Sequence, residues 1–186
     1  MSDPADRAPW ALARSAQAAV GAATLADALR LLGGQSWSSR AFVIVMTAAM
    51  VLFLVWFSRC RRIAGLLMPD KAPVPPVWAV IAWLVPVVNL WVPRGLVLQV
   101  HRASAPGDAE DRDRSVVNAW WAAWVGHALV ATLTTRPGGS TPFVLTLATV
   151  VLELAAAVLA IVVIQRVTSR QAVALNSISA GRGPSR

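Results

Sequence analysis

Apolar residues along this chain fall in long blocks. They show neither the alternation of a half-buried strand nor the 3.6-residue period of a half-buried helix. Residues 41–58, AFVIVMTAAMVLFLVWFS, carry no charge and are bracketed by Arg40 and Arg59. At about 1.5 Å per residue the block measures about 27 Å, near the thickness of bilayer hydrocarbon, and it predicts a crossing. Residues 116–135, VVNAWWAAWVGHALVATLTT, and residues 142–164 predict two more. Residues 10–33 are Ala-rich and favour helix, with Gly33-Gly34 as a stop signal. This segment is only weakly apolar, so a crossing competes with an amphipathic helix lying on the surface. The absence of a strongly charged face favours the crossing.

Polar punctuation separates the blocks. PDKAPVPP at 69–76 is a Pro-rich breaker. The following stretch, VWAVIAWLVPVVNLWVP at 77–93, is apolar but interrupted by Pro86 and Asn89. Pro86 removes a helix hydrogen bond, and Asn89 can satisfy freed backbone groups if protein surrounds it. A re-entrant loop and a kinked full crossing fit this stretch equally. GLVLQVHRA then predicts a short helix near the interface, residues 104–115 a solvated loop, and RPGGST at 136–141 a tight turn. The expected organisation is a polar N-terminus at 1–9, a helical membrane domain at 10–172 and a polar disordered tail at 173–186. No internal repeat is present. The polar start of the chain does not read as a cleaved signal peptide.

Composition agrees with a lipid solvent. The 186 residues are 56% hydrophobic and 14% charged, with mean hydropathy +0.58. A soluble domain is nearer one-quarter charged. The net charge is +8, and Lys71 is the sole Lys among the 17 basic residues. These arginines flank apolar blocks rather than lining one face, which argues for positive-inside topology and against nucleic acid. Basic residues gather between blocks two and three (Arg59, Arg61, Arg62, Lys71), between blocks three and four (Arg94, Arg102, Arg112, Arg114), and at the C-terminal end. If 77–93 re-enters, both basic loops and both termini face the cytoplasm, and the sparse connections face outward. A lone cysteine, Cys60, excludes an intrachain disulfide. Its arginine neighbours allow a reactive or palmitoylated thiol, although an ordinary thiol is the simpler reading.

Glu153 is the sharpest chemical signal. An acid at the centre of a crossing costs roughly 2.5–3.5 kcal/mol, which the strongly apolar residues of its block offset at about 0.3–0.6 kcal/mol each. Such a group is expected to face the bundle interior with a partner. Ala157 and Ala160 share its face and permit close helix approach. Counting from a turn near Gly138-Gly139, His127 lies within about 4–5 Å of the depth of Glu153 and is the expected partner. Trp120, Trp124 and His127 share one stripe. The candidate intramembrane polar site is therefore Glu153, His127, Trp120, Trp124 and Asn89, suited to a proton, a cation or a polar lipid head. A single packing hydrogen bond explains the same residues more simply. Asp27 has Arg30 and Arg14 as expected pairing partners. Arg59, Arg61, Arg62, Arg94 and Arg102 are candidate contacts for anionic lipid head groups. No metal site, cofactor motif or soluble-type catalytic motif is present in the sequence.

Three stretches carry a resemblance: FLVWFSRCRRIA at 53–64, WAVIAWLVPVVNLWVPRGLVLQVHRAS at 78–104 and NAWWAAWV at 118–125. Their most specific elements are Trp83, Pro86, Asn89, Leu90, Trp91 and Pro93, with the pair Trp120 and Trp121. Together they resemble the domain of unknown function 4328 family of actinobacterial integral membrane proteins, over about residues 40–172. Ile63 departs from the Asn that the family often carries after its basic pair. The resemblance implies a multi-helix membrane domain and brings no established activity.

These readings converge on an all-α integral membrane helical bundle with four crossings plus a kinked or re-entrant segment at 77–93. The expected setting is the cell membrane, multi-pass, with both termini cytoplasmic. The leading expectation is an interaction or anchoring module that meets the lipid bilayer and a membrane protein partner or a second copy of itself. The alternative is a small transporter or lipid-processing enzyme using a Glu153–His127 pair.

Overall fold

A computed structural model of the chain describes residues 8–33, 39–67, 92–104, 109–134 and 142–181. The expectations for 77–91, including Asn89, and for the turn at 136–141 lie outside these residues. The described part forms five helices: α1 (Trp10–Gly33), α2 (Ser39–Leu67), α3 (Val92–Ser104), α4 (Ala109–Thr134) and α5 (Phe143–Gly181). No strand occurs among the described residues.

Three stretches are long and apolar enough to cross a membrane: Arg40–Leu67, Arg114–Leu133 and Phe143–Ile178. The bounds of α1 match the predicted block, but α1 is not among these three. Two helices run past their expected limits. The N-terminal turns of α4 take in residues from 109 on, where a solvated loop was expected. At the other end of the chain, α5 continues through Val173 to Gly181, where a disordered tail was expected. Neither extension contains Pro, and Ala, Glu and Arg in the first and Ala and Leu in the second favour helix, so nothing local stops propagation. Proline sets two of the helix starts. The amide of Ala13 donates to the Pro9 carbonyl at 2.9 Å, and the amide of Leu145 donates to the Pro142 carbonyl at 2.9 Å. A proline here loses nothing, since its missing N–H would be an orphan at a helix start.

Neighbour contacts fix the directions. Gln17 in α1 donates from Nε2 to the Ile161 carbonyl of α5 at 3.1 Å. Ten residues further along α1, Asp27 meets Glu153, which is earlier in α5. The two helices therefore run antiparallel. Gly126 of α4 faces Leu152 of α5, and His127 faces Thr149, so α4 is antiparallel to α5 as well. Trp56 meets Thr168 and Cys60 meets Gln171, so α2 runs parallel to α5.

The densest packing lies at one end. Ala13 and Ala16 of α1, Trp56, Phe57 and Cys60 of α2, Leu96, Val97 and Val100 of α3, Val117, Trp120 and Trp121 of α4, and Ile164 and Val167 of α5 form one buried cluster. The start of α1, the end of α2, all of α3, the start of α4 and the C-terminal half of α5 therefore share this end. It follows that Leu67 and Val92, which flank the undescribed residues 68–91, lie toward the same end of the bundle. Outward faces are apolar along the long helices, with Ile44, Leu129, Val144 and Val158 all more than half exposed. A water-soluble chain rarely leaves so continuous an apolar surface uncovered, whereas lipid solvates it at no cost.

Candidate functional site

The stripe by which α1 meets α5 explains where polar groups gather. Buried positions of α1 are Ala13, Ala16, Ala23, Thr24 and Asp27, and those of α5 include Glu153, Ala156, Ala157, Ala160, Val163 and Ile164. Both series recur every three to four residues, the spacing of one helix face. Alanine at these positions lets the backbones approach closely enough for short acidic side chains to meet.

Asp27 and Glu153 are 5% and 8% exposed. Their carboxyl groups lie within side-chain hydrogen-bonding reach of each other, with the Arg30 guanidinium close enough to act on Glu153. Arg30 donates from Nε to Asp27 Oδ1 at 2.8 Å, and its Nη2 lies 2.6 Å from the same oxygen. Arg30 also lies over the Phe42 ring of α2, 4.9 Å from its centroid, which holds the guanidinium from the opposite side. The expected Asp27–Arg30 pair is thus present, while Arg14 sits over the Trp10 ring instead. The second oxygen of Glu153, Oε2, is buried without a hydrogen-bond partner.

The expected Glu153–His127 pair does not form. His127 Nδ1 lies 3.2 Å from the Thr149 carbonyl oxygen, one helical turn from Glu153. Thr149 Oγ1 in turn donates to the Leu145 carbonyl at 2.9 Å. The depth of His127 was therefore close to its expected value, but its ring takes the backbone acceptor at its own level. Glu153 points across to α1. Asp27, not His127, is its partner.

The tryptophans of α4 belong to a different neighbourhood. Trp120 packs on Trp121 with centroids 5.5 Å apart, and on Phe53 of α2 at 6.4 Å. Trp121 stacks on Trp124 at 5.1 Å. Trp120 and Trp121 belong to the main buried cluster, and Trp124 packs against its margin. Nearby, Trp56 donates from Nε1 to Thr168 Oγ1 at 3.1 Å, and Gln171 donates from Nε2 to the Cys60 carbonyl at 2.8 Å. Cys60 is fully buried, which favours the simpler reading of an ordinary thiol over a reactive or palmitoylated one.

Of the candidate lipid contacts, Arg62 is exposed, and Arg59, Arg61 and Arg94 are half-buried. Arg94 donates from Nε to Asn118 Oδ1 at 2.8 Å, joining α3 to α4. Arg102 lies within α3, and its side chain is outside the described part. Among the described residues, no three His, Cys, Asp or Glu side chains gather as metal ligands do.

Sequence reasoning missed Gln17 and Gln165. Gln17 reaches both the Ile161 carbonyl and Gln165 Oε1, the latter at 3.4 Å. Their signal was the polarity of Gln17 within an Ala-rich helix, which marks the α5-facing stripe one turn from Ala13.

Residues 11–169 fit the Domain of unknown function (DUF4328). The chain belongs to this family. The DUF4328 match extends upstream of residue 40 and so takes in α1, together with Asp27 and Arg30. Comparison with curated proteins and with solved structures gave no match.

Proposed function

We propose that this DUF4328 chain is an interaction and anchoring module of the cell membrane, seated with its arginine-rich end in an acidic cytoplasmic leaflet. One observation carries the reading. Arg14, Arg59, Arg61, Arg62, Arg94, Arg114, Arg166 and Arg170 come from all five helices and belong to the segments that share the densely packed end. Under the positive-inside tendency that end faces the cytoplasm, along with both termini. In this reading α1 is a fourth crossing, because its contacts run antiparallel beside α5 from Gln17 to Asp27. Helix α5, at about 1.5 Å per residue, is longer than the hydrocarbon by roughly 28 Å. Its C-terminal turns project toward the cytoplasm as a docking element for a membrane protein partner or a second copy.

The test is retention of lipid by the full-length protein. Each basic side chain near an acidic surface contributes about 1 kcal/mol. Native mass spectrometry after extraction should find phosphatidylglycerol or cardiolipin retained by the wild type. The R59Q/R61Q/R62Q variant should retain it up to about 100-fold less well, the equivalent of about 3 kcal/mol. Equal retention by both proteins would remove the lipid-facing role.

The competing reading, a transporter or lipid-processing enzyme built on Glu153 and His127, is weakened because the His127 ring is engaged by the Thr149 carbonyl.

A further inference from the structure

We infer that Asp27 and Glu153 form a binding site for one exchangeable proton, held between α1 and α5. The inference is independent of the anchoring role and of the lipid contacts at the other end of the bundle.

Charge balance decides the ligand. Three ionisable groups meet here: two acids and the Arg30 guanidinium. With both acids ionised, the group carries one uncompensated negative charge at a site where Asp27 and Glu153 are more than nine-tenths buried. Buried charge without a partner costs several kcal/mol in an apolar medium. One added proton makes the group neutral. It also supplies what a carboxyl–carboxyl hydrogen bond requires, since an ionised carboxylate only accepts. Asp27 Oδ1 is taken up by Arg30. This leaves Asp27 as the ionised member of the pair with Arg30, and Glu153 as the carrier of the proton it donates to Asp27.

Among the described residues, Asp27 and Arg30 are the charges that act on Glu153. From α4, His127 is turned to the Thr149 carbonyl. Helix α2 has no ionisable residue between Arg40 and Arg59, and α5 has none besides Glu153 before Arg166. Helix α3 packs at the opposite end.

A second observation points to exchange. Glu153 Oε2 is buried and has no hydrogen-bond partner, which leaves it open to a water or hydronium. The Arg30 side chain is 42% exposed, and it lies in the last turn of α1. The Arg30 guanidinium therefore links the buried pair to solvent at the nearer end of the bundle. Binding moves one proton from water to the Glu153 carboxylate, and release returns it.

Infrared difference spectroscopy on the full-length protein in phosphatidylcholine vesicles reads this directly. The wild type at neutral pH should show the carbonyl stretch of a protonated carboxylic acid. The band should shift in heavy water and disappear on raising the pH. It should be absent in E153Q, displaced in frequency in D27N and unchanged in H127F. A wild type without such a band at neutral pH would overturn the inference, and so would a band that survives E153Q. If sodium or potassium chloride removes the band at fixed pH, the site takes a metal cation and the proton assignment fails. Should E153Q not fold, the wild-type spectrum alone still decides. Unchanged lipid retention in E153Q would separate this outcome from failure of the anchoring role.

Discussion

Asp27 and Glu153 come from opposite ends of the chain, yet their carboxyl groups face each other across the α1–α5 contact. The pairing exists because two helices with small residues on their facing stripes run antiparallel, and Gln17 to Ile161 fixes the same register at the other end of the stripe. The acids thereby tie the weakly apolar α1 to the strongly apolar α5. Removing one member leaves the others without their partner, while removing both acids leaves only the half-exposed Arg30. D27L alone is therefore expected to cost about 1–2 kcal/mol after allowing for solvent at Arg30. The D27L/E153L double variant should be less destabilised than the sum of the two single variants. Thermal unfolding in detergent measures the cycle, and strict additivity would show that the acids do not act together.

The bond between Trp56 and Thr168 offers a cleaner test of polar packing. Trp56 is 1% exposed and Thr168 is 0% exposed. T168V keeps the shape and removes the acceptor, leaving the indole N–H buried without a partner. Interhelical bonds in membranes average about 0.6 kcal/mol, and an orphaned donor costs about 1–3 kcal/mol. T168V should therefore lower stability by about 1 kcal/mol. W56F should cost more, because it also opens space against Phe53 and Phe57, which lie 5.5 and 6.4 Å from the indole. The reverse order in a detergent melting series would show that the bond, not the ring, dominates.

Gly126 tests how closely α4 and α5 approach. A Cβ at this position would meet Leu152 methyl carbons at 3.6 Å, ordinary van der Waals contact. The space admits one methyl group. G126A should therefore be tolerated and gain up to about 1 kcal/mol from helix propensity. G126L should be destabilised by about 1–3 kcal/mol through overpacking. Melting midpoints of the three proteins in one detergent give the comparison.

The helices were legible in the sequence because lipid imposes a simple rule: a segment that crosses must be apolar and long. The charge-free block at 41–58 and the apolar run around Glu153 obey it, and α2 and α5 contain them. The extensions of α4 and α5 were not legible, because polar helix and polar coil look alike when neither is buried. Glu153 was legible as an inward-facing acid, but its partner was not. Counting residues from a turn fixes the depth of His127 and says nothing of the direction in which Glu153 points. That direction follows from the Ala157 and Ala160 face, which turns toward α1 and brings Glu153 to Asp27. The link between α1 and α5 depends on contacts between the two ends of the chain, where no local pattern speaks.

Cys60 should be silent to thiol reagents in the folded protein. It is fully buried beneath α5, and Gln171 covers its backbone carbonyl. A membrane-permeant maleimide should label it only after denaturation, and labelling of the native protein would contradict the packing of α2 against α5. This silence lets introduced cysteines report topology on a C60S background. Ala11, Leu66 and Ser177 are exposed and belong to helix ends that share one end of the bundle, whereas Phe143, 73% exposed, starts α5 at the other. An impermeant maleimide should label A11C, L66C and S177C from the same side of the membrane and F143C from the opposite side. A11C appearing with F143C would show that α1 does not cross beside α5, and the Asp27–Glu153 pair would lose the geometry on which its proton depends.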